Sequence, residues 1–211
     1  MIRGNLPGPI VGAFWELGRR FHGRSPSILL MLLFLIPLRS GHAQTAPSSL
    51  VADGPAAEYR DKLTLFGQFV GKWEFQGLEY LADGSRVTDK GSIEFAWVLG
   101  GRAIQDVWIE SERSDGKVKT YGTTIRFYDP KIDAWQILWI DPPTGHVQAL
   151  IGRRDGDRIV LEGKRPDGIP IRWIFSEIKA DSFHWSGQEL VAGQWRLAEE
   201  CFPHRVGPTP R

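Results

Sequence analysis

Sulfur is scarce in this chain: one cysteine, Cys201, and two methionines in 211 residues. A lone cysteine closes no internal disulfide, and without a Cys-x-x-Cys it forms no redox pair. Its acidic flank, Glu199-Glu200, disfavours a thiolate, so Cys201 reads as a small core side chain. No His-Glu-x-x-His and no close His/Asp/Glu set has metal-site spacing, so no metal is expected. A P-loop, a dinucleotide fingerprint and a nucleophile elbow are also missing, and no cofactor is expected. The Asp-Gly pairs lack the ligand spacing of a calcium loop. Charge of one sign is missing too: 26 Lys and Arg stand against 25 Asp and Glu, with no basic run longer than two. That excludes a nucleic-acid surface.

Long apolar runs are absent as well. The longest, Ser27 to Leu38, has 12 residues and ends at Pro37 and Arg39. A membrane-spanning helix needs about 20. Arg19, Arg20 and Arg24 precede the run and Gly41-His42-Ala43 follows it. A basic region, a short apolar core and a small-x-small end describe a secretory signal peptide over 1–43, cleaved near Ala43. The alternative is an uncleaved N-terminal anchor. Cleavage leaves 21 basic and 24 acidic side chains, a net charge of −3, and no stable membrane span. The expected location is outside the cytoplasm, periplasmic if the host is Gram-negative. Residues 44–57, rich in Ala, Pro and Ser, read as a flexible leader, and 204–211 as an irregular tail.

Between these ends lies one domain, 58–203. Tyr59, Leu63, Leu65, Phe66 and Phe69 have the spacing of one face of a short helix. Gly71-Lys72-Trp73 then opens a series of ten strand-like runs, separated by turns such as ADGS, SDGK, RDGD and RPDG. The runs start near Trp73, Val87, Arg102, Val118, Ala134, His146, Arg158, Pro170, Ser182 and Gln194, with Gly91 a bend or bulge in the second. This pattern predicts an all-β protein: one antiparallel up-and-down β-barrel of about ten strands with a short N-terminal helix closing one end. Eight of the nine tryptophans fall in the barrel. Alternation groups Trp135, Ile137 and Trp139, then Ile171, Trp173 and Phe175, then Phe183 and Trp185, then Trp195 and Leu197. Period two leaves open which set faces the lumen, and whether the indoles fill a core or line a cavity.

Phe69-Val70-Gly71-Lys72-Trp73 resembles the Gly-x-Trp signature of lipocalin-like (calycin) barrels. Val98-Leu99-Gly100-Gly101-Arg102, Phe127-Tyr128-Asp129-Pro130 with Trp135, and Phe183-His184-Trp185 with Gly193-Gln194-Trp195 add to it. Together they resemble a bacterial family of uncharacterised, often exported proteins with that fold, over about 60–202. The resemblance implies the fold and little function. Haem-binding relatives alternate glycines after the Gly-x-Trp, where this chain has Phe75 and Gln76. Trp73 is expected to plug the barrel base, its indole N–H meeting a polar partner.

For chemistry, His184 is the catalytic candidate: it sits mid-strand with Ser182 and Ser186 on its face and could titrate near neutral pH. The alternative is an outward surface histidine. Arg102 shares a phase with Ile104, Asp106 and Trp108, and if buried it should pair with Asp106. Arg126 and Arg172 stand on the polar phase of their strands, where solvent exposure is expected. The ligand-binding set is therefore Arg102, Asp106, Trp108, His184 and Arg172. The expected function is binding of a small, partly apolar or aromatic molecule with an anionic or polar group, by a monomer or homodimer. The alternatives are an enzyme acting in the lumen with His184 as acid/base, and an interaction protein with a packed lumen and an apolar outer patch.

Overall fold

The computed structural model describes residues 50–207. The expected signal peptide, the first part of the leader and the last four residues lie outside them. One helix, α1 (Arg60–Gly67), precedes β1 (Gly71–Tyr80), β2 (Arg86–Val98), β3 (Ala103–Arg113), β4 (Tyr121–Asp129), β5 (Ala134–Asp141), β6 (His146–Asp155), β7 (Arg158–Lys164), β8 (Pro170–Ser176), β9 (His184–Val191), β10 (Gln194–Cys201) and β11 (His204–Val206). Each strand from β1 to β10 pairs antiparallel with the next, and β10 pairs back onto β1 through Gly77↔Cys201 and Glu79↔Glu199. The result is the expected all-β, closed up-and-down barrel, with ten strands in the ring and one extra strand beside it. Closure leaves the ring no free edge. A register shift falls at Lys90/Gly91, where the glycine announced a bend. Among the described residues no helix is long and apolar enough to cross a membrane.

The helix is short and weakly amphipathic, so packing holds it rather than propensity. Leu63, Leu65 and Phe66 go under the barrel, and Phe66 meets Trp135 and Phe175 edge-on at 4.8 and 5.9 Å. Phe69 follows, against Phe95, Phe175 and Phe183. Trp73, fully buried, donates its indole N–H to the Phe69 carbonyl at 2.7 Å and meets Phe183 edge-on at 4.9 Å. These aromatics form a solid floor.

Two segments expected to be loose are tied down. Within 50–57, Ala52 donates to the Trp97 carbonyl at 2.9 Å and Ala56 to that of Gly101 at 3.0 Å. Residues 204–206, expected to be irregular, form β11 along the first residues of β1. Arg205 explains why. Its guanidinium lies 4.1 Å over the Trp73 ring and donates to the carbonyls of Gln68, Val70 and Ala180. Composition alone conceals such ties, because one arginine and a few backbone hydrogen bonds supply them.

Candidate ligand-binding lumen

Above the floor the lumen is open. A cavity of about 520 Å³ runs from Phe95 and Phe175 to the β5–β6 turn at Thr144-Gly145, within the range of small-molecule sites. Its middle wall carries four indoles. Trp108 lies on Phe75 at 4.3 Å, Trp185 is within 6 Å of both Trp108 and Trp173, and Trp173 meets Trp139 edge-on. Strand alternation delivers them: Trp135, Ile137 and Trp139 point inward together, as do Ile171, Trp173 and Phe175, and Phe183 and Trp185. Trp195 and Leu197 face outward.

Near the floor sits an ion pair. Arg126 Nη2 donates to Asp106 Oδ2 at 2.6 Å, with both side chains more than nine-tenths buried. Asp106 Oδ1 accepts the Thr124 backbone N–H at 3.1 Å. The guanidinium is sandwiched between Phe66 and Phe95, 5.3 and 5.4 Å from their ring centres. Its Nε and Nη1 have no hydrogen-bond partner. A buried guanidinium with idle donors is a charged group still short of hydrogen-bond partners.

The opposite end of the lumen is acidic. Arg113 bonds Glu79, Glu110 at 3.4 Å and Asp115 at 2.7 Å. Glu110 also accepts the Thr120 N–H at 2.7 Å. Among the described residues Asp89 and Glu199 have no ion pair. Asp89 lies across from Gly77, and Glu199 across from Gly187. A Cβ at Gly77 would stand 2.1 Å from Asp89 Oδ1, and one at Gly187 2.7 Å from Glu199 Cγ. Each carboxylate therefore folds over a glycine that any other residue would displace. Desolvation, then the charge of Glu110, lifts Asp89 to about 6. Desolvation, then Glu79 and Asp89, lifts Glu199 to about 7. Glu199 keeps an exposed surface and lines both the lumen and a neighbouring pocket with Arg165 and Glu189. In all, six carboxylates and two guanidinium groups line the cavity.

Of the five residues expected to bind ligand, the lumen contains Asp106 and Trp108. Arg102 is outside, 62 % exposed and paired with Glu58 at 3.0 Å. Leu99–Gly101 forms a 3₁₀ turn and Arg102 keeps helical dihedrals, so the alternation starts one residue later. Arg126 holds Asp106 instead. Arg172 faces outward, donates to Gln188 at 2.7 Å and lies 4.3 Å over the Trp195 ring. His184 also faces outward. Its Nε2 meets Glu200 at 2.8 Å, its Nδ1 meets Ser176 Oγ at 3.3 Å, and its ring stacks on Phe202. Tyr80 completes that outer network by donating to Glu200. Cys201 is buried, and burial pushes its thiol up.

Sequence reasoning missed Arg126 because its strand inverts the usual rule. On β4 the polar phase, Gly122, Thr124 and Arg126, faces inward, while Ile125 and Phe127 face outward. The missed mouth acids Asp89 and Glu199 carried one readable signal, the glycine that register sets opposite each.

The chain matches no protein-family profile and no curated protein. Among solved structures it is similar to the S-type phycobiliprotein lyase CPES from Guillardia theta: 12% identity over 69% of this chain and 92% of that one, TM-score 0.49. It is also similar to Rv2717c from M. tuberculosis: 17% identity over 69% of this chain and 97% of that one, TM-score 0.48.

Proposed function

We propose that this protein binds a small, partly aromatic molecule in the barrel lumen, with an anionic or polar group of that molecule on Arg126. The observation that carries the reading is the open lumen itself: about 520 Å³ walled by four indoles, with a buried guanidinium holding idle donors near its floor. Indoles are rigid and take apolar area out of water at little entropic cost. Asp106 fixes the guanidinium through Nη2 and leaves Nε and Nη1 without a hydrogen-bond partner. The role first sought at Arg102 passes to Arg126, with Asp106 keeping its part.

The test is tryptophan-fluorescence quenching with a panel of fatty acids, phenolic acids and tetrapyrroles. Wild type, Arg126→Gln/Asp106→Asn and Arg102→Gln are compared. The double variant removes both buried charges together, so neither is left unpaired. An acid that binds wild type should lose about ten- to a hundred-fold in the double variant, as expected for one charged hydrogen-bonded contact. Arg102→Gln should bind like wild type. Loss in Arg102→Gln alone, or no binding by any acid, contradicts the proposal.

An enzyme using His184 on a lumen ligand has no support in this geometry, since His184 is on the other side of the sheet. An interaction role has one observation in its favour. The outer face of β3–β6 presents Val107, Ile109, Tyr121, Phe127, Leu138 and Val147, all at least one-third exposed. Such a face suits self-association, which sedimentation velocity would reveal. Export remains part of the proposal, and N-terminal sequencing of the secreted form tests it.

A further inference from the structure

We infer that the ligand also carries a protonated amine, bound at the lumen mouth between Asp89 and Glu199. This inference rests on the lumen-binding reading and adds a second charged group to it.

Glu79 and Glu199 are direct cross-strand partners on β1 and β10, and Asp89 is one step away opposite Gly77. Like charges placed opposite one another in a sheet destabilise it unless something neutralises them. Among the described residues Arg113 is the cation paired within this group, and its donors go to Glu79, Glu110 and Asp115. Asp89 Oδ1 is buried without a partner, and Glu199 pairs with nothing among the described residues. Further around the mouth stand Glu189, which Arg165 neutralises, then Asp141, held by Thr144, and His146. The excess of acid therefore concentrates on Asp89 and Glu199.

Desolvation first and the neighbouring carboxylates second hold both groups above the usual carboxylate range, where a proton relieves part of the crowding. An ammonium group does the same with better geometry: three donors against two carboxylates. Trp173 lines both the lumen and the neighbouring pocket that includes Glu199, and indole faces attract cations. Arg126 supplies independent support that the cavity takes a charged ligand. It is more than nine-tenths buried, lines the same lumen and keeps two donors idle. With a cationic anchor low in the lumen, aromatic walls in the middle and carboxylates at the mouth, the cavity complements a molecule with an anion at one end and an amine at the other.

Two probes that differ by one group test this: 3-phenylpropionate and 3-[4-(aminomethyl)phenyl]propionate. Isothermal titration calorimetry at pH 7.5 should show the amine-bearing probe binding at least about ten-fold tighter to wild type, the scale of a single charge-assisted contact. That advantage should vanish in Asp89→Asn/Glu199→Gln, while 3-phenylpropionate binds the variant at least as well as wild type. At pH 6.5 the amine probe should also release protons, read as an enthalpy that changes between phosphate and Tris buffers. If both probes bind wild type equally, the amine subsite is wrong and the lumen reading stands. If the advantage survives in the double variant, the amine sits elsewhere and the inference is overturned. If neither probe binds, the lumen reading fails and the amine subsite with it.

Discussion

Asp106→Ala should be the most damaging single change in the lumen wall. Among the described residues Asp106 is the sole ionic partner of Arg126, at 2.6 Å, and both side chains are more than nine-tenths buried. Removing one member of such a pair leaves an uncompensated buried charge, which costs about 3–5 kcal/mol. Loss of the bond from the Thr124 N–H to Asp106 Oδ1 adds about 1 kcal/mol. The flanking Phe66 and Phe95 rings return part of this through cation–π attraction, about 1–2 kcal/mol in a desolvated site. The net expectation is a loss of about 3 kcal/mol. With a urea slope of about 2 kcal/mol per molar, the unfolding midpoint should fall by roughly 1.5 M. Asp106→Ala/Arg126→Met, which removes both charges, should recover most of that loss. A single variant within about 1 kcal/mol of wild type, or a double variant no better than the single, would refute the claim that Arg126 is a buried charge that depends on Asp106.

Three further outcomes are expected. Trp73→Ala should cost about 3–5 kcal/mol, because it empties the floor beneath Phe183 and deprives Arg205 of its platform; an unchanged denaturation midpoint would contradict this. Glu199 has a folded pKa raised from 4.5 to about 7, so the folded state holds its proton more tightly than the unfolded chain. Its contribution to stability is complete below about pH 4.5 and is lost as pH rises towards 7. Glu199→Gln should therefore gain about 1 kcal/mol over wild type at pH 8 relative to pH 4.5, a value discounted because water reaches the carboxylate through the lumen. Equal differences in Tm at both pH values would refute that assignment. His184→Ala should leave lumen binding within about two-fold of wild type; a ten-fold loss, 1.4 kcal/mol, would show that the outer network reaches the ligand.

The barrel was legible in the sequence because turns and alternation are local signals. All ten strands lie where the turn chemistry puts them, and Trp73 finds its partner at Phe69. What alternation cannot supply is the inward phase when the lumen itself is polar. On β3 and β4 the more hydrophobic phase, with Val107, Ile109, Ile125 and Phe127, faces outward, and the charged phase with Asp106 and Arg126 faces inward. The usual rule, apolar side in, therefore pointed away from Arg126. Arg102 failed for a different reason: a single 3₁₀ turn shifted where the alternation begins. The acid pair at the mouth depends on register between β2, β1 and β10, a long-range property that one strand's sequence does not contain. The same holds for Arg205, whose partners on Gln68 and Val70 are more than a hundred residues away.

The central claim is that a ligand enters the lumen, and indole NMR reads this by position. With ¹⁵N-labelled protein and each tryptophan assigned by substitution, 3-phenylpropionate is titrated in while the indole N–H signals are followed. Trp108, Trp139, Trp173 and Trp185 line the cavity, whereas Trp195 is on the outer face under Arg172. Saturable shifts are expected at those four signals and none at Trp195. Shifts confined to Trp195, or no saturable shift at the four, would contradict it.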